Sequence, residues 1–254
     1  MKISVITATY NCVSVVADCL ASIAVQTHDD VEHLVIDGAS TDDTLAVLQA
    51  HRDGIAVLVS EPDSGIYDAM NKGIKLAKGD IIGFLNSDDF YASDNVLSRV
   101  AEVFEQNPSL DACYADLIYT DQLDTSHTVR FWESSDFVPG AFSQGWCPPH
   151  PTFFVRRSVY EQFGRFNLDY RIASDVELMM RFLEVHKIRV RYVHEVWVKM
   201  RLGGTTNKSL KNIWVQNQEV LHALRSHGLA ANSIQFYGHK LLSRGKQFFQ
   251  RPSV

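Results

Sequence analysis

The sequence predicts an α/β fold in which a mostly parallel sheet is flanked by helices on both faces. Two observations predict it. Short apolar runs alternate with segments of helical spacing through the first 120 residues, as repeated βαβ units do, and polar clusters follow the apolar runs where strand ends would lie. At 254 residues and 46% hydrophobic, the chain is long enough to bury a full core around such a sheet.

The elements follow in order. Met1-Lys2 leads straight into Ile3-Ser4-Val5-Ile6, so Ile3 to Thr9 reads as a first strand. Val15, Val16, Cys19, Leu20 and Ile23 then recur at helical spacing. His33 to Asp37 makes a second strand, and a helix opens at Thr41 or Asp42 and runs through Leu45 and Leu48. Ile55 to Ser60 is the third strand. Ile66, Ala69, Met70, Gly73 and Ile74 mark the third helix, Ile81 to Asn86 the fourth strand, and Ala112 to Ala115 the fifth. After residue 120, aromatic, Gly and Pro residues (Phe131-Trp132, Phe137 to Gly140, Trp146 to Pro149) replace the alternation. Helical spacing returns at Asp175 to Glu184 and Ser209 to Arg225, around a strand-like stretch from Ile188 to Trp197. Residues 233–251 mix Phe236, Tyr237, Leu241, Leu242, Phe248 and Phe249 with Lys240, Arg244, Lys246 and Arg251. That mixture reads either as a basic amphipathic helix or as an ordinary surface helix. The organisation expected is a ligand-binding half over 1–120, a second half of the same domain over 121–228, and a basic tail over 229–254.

Charge separates along the chain. Residues 1–126 hold 21 acidic and 6 basic side chains, and the remainder holds 9 acidic and 18 basic. An acidic half suits a site that gathers a divalent cation, and a basic half suits a pyrophosphate or an anionic membrane surface; two solvated faces of opposite sign are the alternative. No apolar run approaches the roughly 18 to 20 residues that span a bilayer, and no leader-like apolar segment opens the sequence. Cys12, Cys19, Cys113 and Cys147 show no CxxC pair or zinc-like spacing, which fits reduced, buried thiols and a cytoplasmic location.

Ligands of such sheets bind at the carboxyl ends of the strands. Three clusters fall there: Thr7-Ala8-Thr9-Tyr10-Asn11, Asp37-Gly38-Ala39-Ser40-Thr41-Asp42 and Asn86-Ser87-Asp88-Asp89. No GxGxxG or GxxxxGK[ST] occurs, which argues against dinucleotide-dependent dehydrogenases and P-loop enzymes. Asp37 reads as an acceptor for a nucleobase or ribose, or as the closer of a turn. Adjacent carboxylates at Asp88 and Asp89 are costly at an apolar strand end unless a cation or hydrogen bonds compensate, so a divalent metal site and a helix cap are the two readings. Asp175 shares a helical stripe with Leu178, Met179 and Phe182, where a carboxyl can serve as a general base or as a cap. Glu177 and Arg181, four apart, read as a surface ion pair.

Thr7 to Asn11, Val35 to Asp42, Asp63-Ser64-Gly65-Ile66-Tyr67-Asp68-Ala69-Met70-Asn71-Lys72-Gly73, Phe84 to Asp89 and Ala173-Ser174-Asp175 together resemble family 2 of the glycosyltransferases. Among its members they are most similar to bacterial enzymes of exopolysaccharide, colanic-acid and O-antigen synthesis. The resemblance covers about residues 1 to 205. It implies a GT-A fold and an inverting transfer of sugar from a nucleotide-sugar to an acceptor hydroxyl of a saccharide or lipid-linked saccharide. It also implies that Thr7, Thr9, Tyr10 and Asn11 hold the nucleotide, with Asp37 on the base and Asp68, Asn71 and Lys72 near the donor. Asp88 would bind Mg²⁺ or Mn²⁺, with Asn86 and Asp89 as weaker candidates, and Asp175 would be the catalytic base. Asn86 replaces the first aspartate of the family's DXD-type motif, which implies modest metal affinity. His150 matches an acceptor-side histidine, or is simply packed in its Pro-rich turn. Arg201, before Leu202-Gly203-Gly204-Thr205-Thr206, matches a loop that closes over the donor phosphates, or is an ordinary loop residue. A lipid-linked acceptor implies peripheral contact with the inner face of the cell membrane; no nucleic-acid partner is expected. A nucleotidyltransferase and a non-catalytic nucleotide-sugar-binding protein are the competing readings. The first needs a basic glycine-rich loop after strand one, and residues 7–11 carry no Lys or Arg.

Overall fold

The computed structural model describes residues 1–203, 209–233, 236–238 and 245. Among the described residues, nine strands form one sheet: β1 (Ile3–Thr9), β2 (Val31–Asp37), β3 (Val57–Ser60), β4 (Ile81–Phe84), β5 (Phe90–Tyr91), β6 (Ala112–Thr120), β7 (Thr128–Trp132), β8 (Phe154–Arg156) and β9 (Val190–Arg201). Their order is β3-β2-β1-β4-β8-β6-β9-β5, with β7 beside β6. The first four strands run parallel, as does the long β6–β9 pair. The short strands β5, β7 and β8 join antiparallel. Strands from both halves of the sequence therefore share one sheet, with β8 of the second half inserted between β4 and β6 of the first.

Among the described residues the main helices are α1 (Val16–Ala24), α2 (Thr44–Ala50), α3 (Ile66–Leu76), α4 (Val96–Gln106), α5 (Arg157–Phe163), α6 (Ser174–Met180) and α7 (Leu210–Ser226). Side chains alternate across a strand, so each central strand feeds two cores. Ile6, Ile36, Ile82, Phe84 and Tyr114 face the core closed by α3, α6 and α7. Ile3, Val5, Ile81, Cys113 and Leu117 face the core closed by α1 and α4. Strands buried on both faces read as continuous apolar runs, which is why β1, β2 and β4 stood out in the sequence. α3 lies so close to β1 that a Cβ on Gly73 would come within 2.5 Å of Ile6 Cγ2.

Several expectations are refined. β6 runs five residues past Ala115, bulging at Asp116 where it pairs with β9. β5, β7, β8 and α5 were not foreseen. α6 passes after Met180 into a wider π turn over Arg181–Val185. Glu177 is not a surface residue: it is 2% exposed and joins Arg181 (2.9 Å) and His227 (2.8 Å), while Arg181 Nη2 donates to the Arg165 carbonyl at 2.7 Å. The four cysteines form no disulfide with one another. No helix among the described residues is long and apolar enough to cross a membrane. Most of the expected basic tail, and Gly204 to Thr206, lie outside the described residues.

Candidate active site

The carboxyl ends of β1 to β4 open onto a cleft of about 1770 Å³, whose far wall comes from α6, α7, the end of β9 and the 142–150 segment. Thr9, Tyr10, Asn11, Asp68, Asn86, Asp88, Asp89, His150, Asp175 and Arg201 all line it. Asp37 lies just beneath, next to the lining residue Gly38.

At the β1 and β2 ends the polar residues hold one another. Asp37 is fully buried and accepts from Thr9 Oγ1 (3.0 Å), Ser40 N (3.0 Å), Ser40 Oγ and Ser60 Oγ (2.7 Å). Burial pushes its carboxyl up, but the bonds from Ser40, Ser60 and Thr9 outweigh that and hold it below the usual carboxylate range. Asn11, in the left-handed region at φ 47°, accepts from Thr41 N (2.8 Å) and fixes the 37–42 turn. Thr7 points away from the cleft into the sheet, where its hydroxyl shares a 3.0 Å hydrogen bond with buried His33. Asn71 and Lys72 do not line the cleft. Asn71 brackets Phe166 through its backbone (2.9 and 3.0 Å), and Lys72 pairs with Glu61 at 2.8 Å. Asp68 accepts from Ser64 N at 3.0 Å, closing the loop ahead of α3.

The β4 end concentrates negative charge. Asp89 is 1% exposed; its Oδ2 accepts from Asn86 Nδ2 (3.0 Å) and its Oδ1 is buried with no hydrogen-bond partner. Burial, then the neighbouring Asp88 charge, push the Asp89 carboxyl well above the usual carboxylate range. An orphaned buried carboxylate oxygen beside a cleft-lining aspartate suits a hard divalent cation that takes oxygen ligands. No cluster of three His, Cys, Asp or Glu ligands forms among the described residues, so the chain offers one or two carboxylates and leaves the remaining positions to substrate and water. Arg201 is 6% exposed. Its Nη1 donates to the Asp88 carbonyl at 3.0 Å, its Nη2 pairs with Asp18, and its guanidinium lies 5.1 Å over the Phe90 ring.

Across the cleft, Asp175 opens α6. Tyr67 Oη lies 2.9 Å from Asp175 Oδ1 and 2.8 Å from the Ile172 carbonyl, so one hydroxyl holds the carboxylate to the loop before it. Glu219 of α7 holds that same loop, accepting from the backbone of Arg171 (3.0 Å), Ile172 (2.8 Å) and Ala173 (2.8 Å). His150 stacks on Phe84 at 5.5 Å, and its Nε2 is sealed from solvent without a partner. Burial pushes its pKa down, opposed by the Asp175 charge, so the ring is neutral. Tyr67 and Glu219 had no role in the sequence reading. Tyr67 stands in a quoted motif, but its partner is 108 residues away; Glu219 had no signal at all.

A mixed α/β sheet with an acidic cleft over its strand ends and a carboxylate held opposite is the arrangement of the GT-A fold. The chain belongs to the family described as Glycosyl transferase family 2, which matches residues 4–164. It is 34% identical over 209 residues to the PGL/p-HBAD biosynthesis glycosyltransferase of Mycobacterium tuberculosis, covering 80% of this chain and 78% of that one. An uncharacterized glycosyltransferase of the same species is 32% identical over 183 residues, 70% of this chain and 68% of its own. Solved structures share the fold. Staphylococcus aureus TarS 1-349 in complex with UDP superposes with a TM-score of 0.66 at 20% identity, over 97% of this chain and 70% of TarS 1-349. The mannosyltransferase PcManGT of Pyrobaculum calidifontis, in complex with GDP-Man and Mn²⁺, superposes at 0.68 and 19% identity, over 95% and 68%. The protein is a glycosyltransferase.

Proposed function

We propose that this glycosyltransferase inverts configuration, takes a nucleotide-sugar donor with a divalent cation, and glycosylates a hydroxyl of a saccharide or lipid-linked saccharide during surface-polysaccharide synthesis at the inner face of the cell membrane. The observation that carries this reading is one cleft lined by Asp88 at the end of β4 and by Asp175 at the start of α6. The complexes of TarS with UDP and PcManGT with GDP-Man and Mn²⁺ support the donor and the cation, and the name of the mycobacterial relative supports a glycoconjugate product.

In this mechanism Asp175, oriented by Tyr67, takes the proton of the acceptor hydroxyl as its oxygen bonds to the anomeric carbon. The bond from that carbon to the donor phosphate breaks, and the nucleoside diphosphate leaves with the bonding pair. Asp88 and Asp89 would hold Mg²⁺ or Mn²⁺, which supplies positive charge to the departing diphosphate. His150, stacked on Phe84 in the wall of the same cleft, would stand on the acceptor side. Asp175→Asn is expected to keep donor affinity and lose transfer, measured as release of nucleoside diphosphate in the presence of acceptor. Transfer at the wild-type rate removes Asp175 as base, and release of pyrophosphate instead would favour a nucleotidyltransferase.

A further inference from the structure

We propose that Asp63, rather than Asp37, reads the donor's nucleobase, and that it selects bases with a ring N–H, namely uracil, thymine or guanine, over cytosine and adenine. The proposal rests on the nucleotide-sugar reading above and adds the class of nucleotide.

Asp37 has nothing left to offer, since its two oxygens are fully buried and take four hydrogen bonds from Thr9, Ser40 and Ser60. Asp63 differs. It lines the cleft in the loop after β3, its Oδ1 accepts from Gly65 N at 2.8 Å, and its Oδ2 takes no hydrogen bond among the described residues. The position of that second oxygen is set by a missing side chain: a Cβ on Gly38 would lie 2.5 Å from Asp63 Oδ2 and 3.2 Å from Cγ. Gly38 therefore makes room at the end of β2 for a carboxylate delivered from β3. A side chain on residue 38 would displace it.

The sheet order fixes what this oxygen can meet. β2 and β4 flank β1, so the Asp63 oxygen and the Asp88 turn stand two strand spacings apart, roughly 10 Å. A donor with its diphosphate at Asp88 would thus extend its nucleoside toward Asp63. Between them Tyr10, 62% exposed, offers a ring face to a base, and stacking of this kind is sequence-tolerant. Discrimination then falls to the carboxylate. An ionised carboxylate only accepts hydrogen bonds, so it matches N3–H of uracil or thymine and N1–H of guanine, and it repels the lone pair at N3 of cytosine or N1 of adenine. A single free oxygen suits one N–H better than the paired hydroxyls of ribose.

The test is titration of UDP, dTDP, GDP, CDP and ADP, each with Mn²⁺, into wild type, Asp63→Asn and Gly38→Ala. Wild type is expected to bind the first three most tightly. Asp63→Asn, whose amide can donate to a ring nitrogen, should lose about tenfold or more on those three and nothing on CDP. Gly38→Ala should show the same selective loss by pushing the carboxylate aside, and it serves if Asp63→Asn folds poorly. Equal weakening of all five nucleotides would indicate a ribose contact and overturn the inference. So would unchanged affinities in both variants, or a wild-type preference for CDP or ADP. Failure of wild type to bind any of the five overturns the nucleotide-sugar reading itself, which separates the two failures.

Discussion

His33 makes the sheet beneath the cleft sensitive to mild acid. Its ring is buried between β1 and its neighbours, 3% exposed, with Nε2 on the Thr7 hydroxyl at 3.0 Å. Burial alone pushes its pKa down to about 3, from an ordinary value of 6.5. A depressed folded-state pKa means that the unfolded chain binds the proton first. The stability this neutral histidine confers is therefore present above 6.5 and is lost as pH falls toward 3. Between pH 7 and pH 5 the linkage removes roughly 2 kcal/mol, equivalent to a fall in Tm of about 4–8 °C for a chain of this size. Glu32 and Asp37, whose carboxyls are held below their usual range, lose their contributions only at lower pH, and Asp89 and His150, which shift into or out of this window, are common to wild type and variant and cancel in the difference. Denaturant unfolding of wild type and His33→Gln at pH 7, 6 and 5 isolates the effect, because glutamine retains a hydrogen-bonding group but does not titrate. The variant is expected to be less stable at pH 7, with the gap closing by roughly 2 kcal/mol at pH 5. A gap that stays constant across the three pH values refutes the reasoning.

Two further predictions concern how Asp175 is held. Tyr67→Phe removes the hydroxyl at 2.9 Å from the carboxylate, a charge-assisted bond whose loss should lower kcat by about tenfold to a hundredfold. The donor KM should stay the same; steady-state kinetics with saturating acceptor would read both, and an unchanged kcat would free Tyr67 from any role in orientation. Glu219→Ala strips three backbone N–H groups of their acceptor ahead of α6. It is expected to cost about 1–3 kcal/mol in denaturant unfolding and to lower kcat, with nucleoside diphosphate affinity unchanged.

What the sequence made legible follows from where information is stored. β1, β2 and β4 are buried on both faces and announce themselves as apolar runs. β6 is buried along its whole length too, but Asp116 and Thr120 break its apolar character; Asp116 is tolerated because Ser134 N and the Tyr192 hydroxyl bond to it at 2.7 and 2.8 Å. Those partners come from other elements and cannot be read locally. β8, three residues after a Pro-rich turn, carries too little pattern to see. Glu177 was misplaced for a related reason, since helical spacing pairs it with Arg181 but says nothing of His227 folding over it. At the site, the motifs mark Asp88 and Asp175, which the structure brings to one cleft. The room that Gly38 leaves for the Asp63 carboxylate was not legible, because it depends on an atom that Gly38 lacks.

Arg201 is the residue whose sequence reading and structural setting differ most, and one substitution separates them. A phosphate clamp needs a guanidinium free to turn toward the donor, whereas this one is nearly sealed, tied to Asp18 on α1 and to the Asp88 carbonyl, and seated on Phe90. In that position it braces the Asn86–Asp89 turn against α1 and the end of β9. Asp18→Asn weakens the brace without removing the arginine. Asp18 is 64% exposed at its side chain, so solvent screens the pair and its loss should cost only about 1 kcal/mol, or some fivefold in affinity. If Arg201 positions the turn, Asp18→Asn binds nucleoside diphosphate more weakly in the presence of Mn²⁺. If Arg201 is a clamp held back by Asp18, releasing it leaves binding unchanged or tightens it. Titration of wild type and variant under one salt condition decides between them, and tighter binding by the variant would sink the bracing role.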